Sequence, residues 1–334
     1  MTIHALSRRG TAATGTALLA VVALAAAGCS SDTGASGSSG SGEGETVAIT
    51  AGVAASQSST ALLLGQQQGF FEEEGIDLTI DYAASGAAAT PQLINGQMQA
   101  VLGGISAAIT SVDSGLPVVI VSGSVNDRED PDGTQYQTMV AEDSGIESFK
   151  DLEGKTVAVN SLSCCWEFWI REAVEKDGGD PDKVEMVQLA FADAVTALKQ
   201  GKVDAASTAQ PFATSLRQDG FRDIGDSPAI AYDDPDNGNT VFYMSRQFID
   251  QHPGIVERWR AALAKSSEYA NAHPDETREQ IIAQTKADPE LVQSAPLPQY
   301  SAELDRNAIE KEGEFLVKYG VLQKAPSLED LIAP

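Results

Sequence analysis

Apolar positions along this chain follow two rhythms. Short Val- and Ile-rich runs closed by Gly, Ser, Asn or Pro read as strands, and stretches with apolar residues three and four apart read as helices. Strands are expected at 46–50, 76–82, 100–102, 116–122, 136–141, 156–160, 184–189, 203–206 and 240–244. Helices are expected at 61–68, stopped by Gly69, at a segment ending in Asn95-Gly96, from about Ser106, from after Ser163 to Asp177, and at 192–200. Pro91 fits the first turn of its helix and not the middle, because it lacks an N–H and clashes with the preceding turn. In the helix after Ser163, Trp166, Trp169, Ile170, Ala173 and Val174 share one face. Residues 149–155 read as a polar connector, and the pattern beyond 244 is helical, with starts at His252-Pro253 and His273-Pro274.

The pattern is written twice. Thr46-Val47-Ala48-Ile49-Thr50 returns as Thr156-Val157-Ala158-Val159-Asn160, and Leu93 to Ala100 returns as Leu198 to Ala205, both reading Leu-x-x-Gly-x-apolar-x-Ala. Two similar α/β units predict two lobes with a cleft between them, and such sheets bind ligands at the carboxyl ends of their strands. The tail beyond the second unit has no third copy, so it is expected to pack on the first lobe, giving two crossings near 122–128 and 232–240. The expected division is 45–125 with 232–334 as lobe one and 126–231 as lobe two.

The N-terminus adds a location. Arg8 and Arg9 precede a short apolar stretch ending in Ala27-Gly28-Cys29, too short for a membrane-spanning helix. Small residues before Cys29 resemble a bacterial lipobox, which implies a signal peptide over 1–28, cleavage before Cys29 and its lipidation. Residues 29–44, rich in Ser and Gly, read as a flexible tether, since they hold too little apolar surface to fold. The chain is then extracytoplasmic and touches the membrane through its lipid anchor only.

The formal net charge is −26, from 48 acidic and 22 basic residues, which excludes a nucleic-acid partner. Beyond Cys29 the only cysteines are the adjacent Cys164 and Cys165, whose spacing suits a disulfide poorly, so no disulfide framework is expected.

Several motifs in order resemble the substrate-binding proteins of ABC importers, closest to the nitrate, sulfonate and taurine binders, with the thiamine-pyrimidine-precursor binders beside them. The carrying residues are Gly69-Phe70-Phe71-Glu72-Glu73-Glu74-Gly75-Ile76-Asp77-Leu78, the Leu93–Ala100 motif, Gly103-Gly104, Asp151-Leu152-Glu153-Gly154-Lys155-Thr156-Val157-Ala158-Val159, and Phe248-Ile249-Asp250-Gln251-His252-Pro253. The resemblance implies the two-lobed α/β type II periplasmic-binding-protein fold, each lobe a mainly parallel sheet flanked by helices. It also implies hinge closure over a small-molecule ligand, delivery to the transmembrane subunits of an ABC permease, a monomer, and no cofactor.

Family position puts ligand contacts on five loops: Ser56, Gln57, Ser58 and Ser59; Ser85, Gly86 and Ala87; Ser106 and Ala107; Asn160, Ser161, Cys164 and Trp166; and Gln210 with Phe212. No Lys or Arg lies in them, so an anion there is held by hydroxyls and by N–H groups at helix starts, and a neutral polar ligand fits equally well. Each residue also has a packing alternative: Ser58, Ser59 and Ser106 as helix caps, Trp166 as core beside Trp169, the cysteines as small fillers. Arg128, the cation nearest a crossing, sits among Asp127, Glu129 and Asp130, which reads as a solvated cluster.

An enzyme is not expected. One relative makes a pyrimidine with a Cys-rich motif and His, but here the only histidines after the leader, His252 and His273, precede prolines in the tail. No metal-ligand spacing, nucleophile elbow or phosphate loop is present in the sequence. A pyrimidine binder, a pyrimidine-synthesising enzyme and a sensory lipoprotein that presents its ligand to a receptor stand as the alternatives.

Overall fold

The computed structural model describes residues 46–128 and 134–334. The leader, the tether, Cys29, Glu129 and Asp130 lie outside the described residues. In chain order the first part contains β1 (Val47–Val53), α1 (Thr60–Gln68), α2 (Phe70–Glu73), β2 (Ile76–Tyr82), α3 (Gly86–Ile94), β3 (Ala100–Gly104), α4 (Ile105–Asp113) and β4 (Val118–Asn126). Then follow β5 (Tyr136–Ala141), β6 (Thr156–Val159), α5 (Cys165–Lys176), β7 (Glu185–Gln188), α6 (Phe191–Lys199), β8 (Ala205–Ala209), α7 (Phe212–Gln218), β9 (Phe221–Asp223) and α8 (Ser227–Tyr232). The tail adds β10 (Thr240–Ser245), α9 (Arg246–Gln251), α10 (Ile255–Ala272), α11 (Pro274–Thr285), α12 (Pro289–Ser294), β11 (Gln299–Tyr300), α13 (Arg306–Lys318) and α14 (Leu328–Leu331).

Two sheets result, with strand orders β2-β1-β3-β10-β4-β11 and β7-β6-β8-β5-β9. They are the same topology built twice. In each, two outer strands run parallel to a third (β2 and β3 to β1, β7 and β8 to β6). In each, the next strand is antiparallel: β10 in the first sheet and β5 in the second. β5 directly precedes β6 in the chain, whereas β10 returns to the first sheet only after all of the second has been traversed.

The Leu-x-x-Gly-x-apolar-x-Ala repeat is a helix exit. Gly96 and Gly201 follow the last turns of α3 and α6 with φ of +79° and +63°, which L residues with a Cβ rarely adopt. Ala100 and Ala205 then begin the next strand. The first repeat needs correcting. Ala51 pairs with Ala100 in one sheet and Val157 with Ala205 in the other, so Thr156 corresponds to Thr50 rather than Thr46. The slip of four keeps the same strand face inward, which is why the sequence pattern alone does not detect it. The side chains agree with the corrected register: Thr50 N–H donates to Gln99 Oε1 and Thr156 N–H to Asp204 Oδ2, both at 2.8 Å.

Pro91 also departs from expectation, lying in the interior of α3. It deprives the Ala87 carbonyl of its helical donor, which is tolerable because Ala87 is exposed to solvent. Residues 149–155 are not simply polar: Phe149 and Leu152 are buried in a short 3-10 turn. β9 and α8 are elements the sequence pattern did not predict, and the tail is not wholly helical, since β11 pairs with β4.

The first sheet is covered on one face by α1, α2 and α10, with Trp259 packed edge-on against Phe242 and tilted on Phe71. Its other face is covered by α3, α4 and α13 through Leu93, Ile109, Ile309 and Leu316. The same apolar cluster continues into the second lobe through Phe168 and Trp169 of α5. The tail thus does more than pack on lobe one. Tyr319 stacks on Phe168 at 5.1 Å, and its hydroxyl donates to Glu172 Oε1 at 2.7 Å.

The tightest helix contact is between α1 and α10. A Cβ on Gly65 would stand 1.8 Å from Ser266 Oγ and 2.6 Å from Ser266 Cβ, and no rotamer of Ser266 relieves the second clash. Gly65→Ala is therefore expected to destabilise by about 1–3 kcal/mol through overpacking, although alanine is the better helix former. Thermal melts should show the loss, and Ser266→Gly should restore most of it.

Candidate functional site

The carboxyl ends of the parallel strands in each sheet lead to the loops singled out in the sequence. β1 runs to Ser56–Ser59, β2 to Ser85 and β3 to Ile105–Ser106. In the second sheet β6 runs to Asn160–Trp166, β7 to Phe191 and β8 to Gln210–Phe212. The antiparallel strands β5 and β10 begin at these same edges, with Tyr136 and Thr240.

The edges meet. The N–H of Cys165 at the start of α5 donates to Ser106 Oγ of α4 at 3.2 Å. Tyr136 OH donates to Asn239 Oδ1 at 3.0 Å, and the Asn239 carbonyl accepts from Ile105 N–H at 3.2 Å. The two crossings also touch, Asp127 N–H donating to the Asn237 carbonyl at 2.8 Å.

Behind Ser106 lies a buried polar chain. Ser106 Oγ donates to one oxygen of Glu312, on α13, and Tyr232 OH donates to the other at 2.7 Å. Trp169 Nε1 donates to Tyr232 OH at 2.9 Å. Glu312 is fully buried. Loss of water pushes its carboxyl up to about 7, against the two hydroxyl donors that favour the anion. Burial likewise raises the phenol of Tyr232.

The thiols sit beside this chain. Cys164 and Cys165 are free, with Sγ atoms 4.0 Å apart, and Cys164 Sγ lies 2.7 Å from Ser161 Oγ. The hydrogen bond from Cys165 lowers the Cys164 thiol below the usual range, and the same contact with burial raises Cys165.

The predicted ligand residues divide into two groups. Ser106, Ser161, Cys164 and Trp166 come together at the seam. Others are committed to the chain itself. Ser59 is fully buried and its hydroxyl lies within bonding distance of the Ala54 and Ser56 carbonyls. Gln210 Nε2 donates to the Thr134 carbonyl and its Oε1 accepts from Thr214. Gly86 is buried, its carbonyl accepting from Tyr243 OH, while Ser85 caps α3 through Ala88 N–H. Ala87 and Ala107 line a cavity of about 490 Å³ between α3 and α4, with Pro91 and Leu116. Ser56, Ser58 and Asn160 are half-buried at the edges, and Gln57 is buried with an unpartnered Oε1. Phe212 is half-buried and packs against Phe191.

Sequence reasoning missed Glu312, Tyr136, Asn239 and Phe191. Glu312 carried a signal: it is an acid in the middle of the apolar stripe Ala308, Ile309, Phe315, Leu316. Phe191 also carried one, because it opens the helix after β7 as Trp166 and Phe212 open theirs. Arg128 lines a second cavity, of about 650 Å³, with Arg217 and Arg278 beside α7 and α12.

A carboxyl pair stands at the first crossing. Asp127 Oδ1 accepts from the N–H groups of Arg128 and Gln135, and Asp226 Oδ1 caps α8 through Ala229 N–H. Their Oδ2 atoms are buried with no hydrogen-bond donor, which favours a carboxyl that keeps its proton over two carboxylates. Burial, and then the neighbouring charge, hold Asp127 well above the ordinary carboxylate range; Asp226 is raised chiefly by burial. The folded state thus holds a proton that the unfolded chain releases near pH 4, so this pair's contribution is full in acid and is lost as pH rises. Asp127→Asn keeps the two N–H acceptor contacts and supplies a permanent donor. Its melting temperature should match the parent near pH 4 and exceed it increasingly above, by several degrees at pH 8, since each pH unit between the unfolded and folded values costs the parent about 1.4 kcal/mol.

Comparison with known proteins agrees with this architecture. The bicarbonate-binding protein CmpA of Synechococcus elongatus is 21% identical over 235 residues, covering 63% of this chain and 50% of CmpA. The chain spans about half the length of the curated relatives it matches. The periplasmic aliphatic sulphonate binding protein SsuA from Escherichia coli superposes with a TM-score of 0.70 at 16% identity, over 86% of this chain and 92% of that one. A DSZB mutant in complex with biphenyl-2-sulfinic acid superposes at 0.61 with 19% identity, over 86% and 97%. At these identities the structures share the fold. The family itself is fixed by a match to the NMT1/THI5-like description across residues 56–277, from the loop after β1 into α11, which takes in the whole second sheet: the chain belongs to that family.

Proposed function

We propose that this protein is the extracytoplasmic solute-binding receptor of an ABC importer. It captures a small polar or anionic organic solute, of the sulfonate, nitrate or taurine kind, between its lobes and hands it to a permease. The observation that carries the reading is the meeting of the two carboxyl-end edges, Ser106 on one and Cys165 on the other. Ligand bound to one edge would be enclosed as the other swings onto it about the crossings near 122–128 and 232–240, a hinge motion whose end state a permease can read. The bicarbonate and sulphonate binders among the similar proteins support this class of solute.

Lipidated Cys29 would anchor the monomer to the outer face of the membrane, with 29–44 as its tether. Binding without chemistry fits the placement of the histidines. His252 packs on Phe248 and His273 stacks on Tyr269, both in the tail and not at the seam. A pyrimidine is the second reading, favoured by the half-buried rings of Trp166 and Phe212.

The test is ligand-dependent compaction. Sulfonates, taurine, nitrate, bicarbonate, carboxylates and pyrimidines would be screened by thermal shift, then by small-angle scattering. A solute at 100 times its Kd should stabilise the chain by about 2.7 kcal/mol, a shift of a few degrees. The same solute should reduce the radius of gyration. Stabilisation without compaction, or no response to any imported solute, would refute the receptor reading.

A further inference from the structure

The two edges of the cleft are chemically unlike. On the second sheet each connection at the carboxyl edge contributes one ring: Tyr136 at the start of β5, Trp166 after β6, Phe191 after β7 and Phe212 after β8. All four are half-buried. They form a continuous chain, with centroids 5.5 Å apart from Tyr136 to Trp166, 5.0 Å from Trp166 to Phe191 and 5.6 Å from Phe191 to Phe212. Phe191 lies outside the five buried apolar clusters and meets them only through its ring contacts with Trp166 and Phe212.

The matching positions on the first sheet are hydroxyls and amides: Ser56 and Ser58 after β1, Ser85 after β2, Ser106 after β3 and Asn239 before β10. Ser106, Ser85 and Asn239 are bonded within the chain, so the half-buried Ser56 and Ser58 are the serines that meet the solute. Tyr82, at the outer end of β2, is the exposed aromatic of this edge, while the buried Tyr243 and Tyr300 reach it with hydroxyls on the Gly86 and Gln57 carbonyls. Among the described residues just three large hydrophobic side chains are exposed, and two of them are at these edges, Tyr82 (53%) and Leu162 (40%). Exposed apolar surface gathered along a cleft rather than scattered marks a ligand surface. A row of half-buried rings facing hydroxyls would remain partly wetted on closure over a small inorganic anion. A ligand with a flat apolar face covers it.

We propose that the solute is an aryl oxyanion, its ring laid on the Trp166–Phe191–Phe212 shelf of the second lobe and its sulfonate or carboxylate turned to the serines and N–H groups of the first. This rests on the receptor reading above and names the class of solute within it. Ring stacking supplies affinity, because an aromatic ligand pairs with edge-to-face or offset rings beyond the area it buries. The serine edge supplies orientation, with hydroxyl and N–H donors on an oxyanion that needs no cation. No residue on the shelf carries a charge, so a charged head there would be desolvated without compensation. That fixes the direction of binding.

Calorimetric titration of the purified chain with two head-matched pairs tests the idea: benzenesulfonate against methanesulfonate, and benzoate against acetate. The aryl member of at least one pair should bind ten-fold or more tightly, quenching Trp166 fluorescence and compacting the chain. Trp166→Ala should weaken the aryl ligand at least ten-fold, and Trp166→Phe should restore most of the affinity. Phe191→Ser, outside the cores, should weaken it several-fold without lowering the melting temperature, so a folding defect is not mistaken for lost stacking. Equal affinity within both pairs, or aryl binding indifferent to Trp166→Ala and Phe191→Ser, overturns the inference and leaves the receptor reading intact. So does compaction by a ringless solute when neither aryl compound binds. No compaction by any solute overturns both.

Discussion

The structure turns on one carboxyl group. Glu312 comes from a helix near the end of the chain, yet its two oxygens hold Ser106, at the edge of the first sheet, and Tyr232, at the end of the second lobe. Around it the apolar cluster runs unbroken from Ile109 and Leu316 to Phe168 and Trp169. A seam made only of such contacts would be non-directional, tolerating sliding of one lobe on the other. The buried carboxylate makes it directional, because displacement of either hydroxyl strands an acceptor in a dry interior. Through Ser106 the same group sets where the Cys165 N–H docks, and so where the second edge meets the first.

Around that anchor the molecule is symmetric in backbone and asymmetric in chemistry. Strand order and helix exits repeat between the sheets, so both present the same kind of edge. What lines the edges has diverged, serines and an asparagine on one and rings on the other. Duplication supplies two opposing surfaces of equal shape. Divergence makes them chemically unlike, the difference on which the proposed aryl oxyanion rests.

Much of the fold was legible in the sequence because its strongest signals are local. Val- and Ile-rich runs, Gly96 and Gly201 at helix exits, and apolar stripes such as Trp259, Ala262 and Leu263 each depend on neighbours a few residues away. The four-residue slip at Thr50 was not legible, because an even shift leaves the inward face unchanged and only the ladder with Ala100 decides it. β9 and α8 were missed because they are short, and the start of α3 because its proline lies inside the helix rather than in the first turn. The site was legible only in part. The loops were correctly placed after strands, but whether a polar side chain faces solute or chain depends on remote partners. Ser59 is bonded within its own turn and Gln210 to Thr214 and the remote Thr134 carbonyl, whereas Glu312 reaches the seam from about 200 residues away in sequence.

β3 and β4 of the first sheet are joined in the sheet only through β10, which begins at Thr240. A nascent chain that has emerged as far as β9 has therefore synthesised every strand of the second sheet without being able to complete the first. Pairing over so long a separation is slow to form, since the loop entropy must be overcome before the contacts form. The second sheet is thus able to form during synthesis, while the first waits until nearly three quarters of the chain has been made.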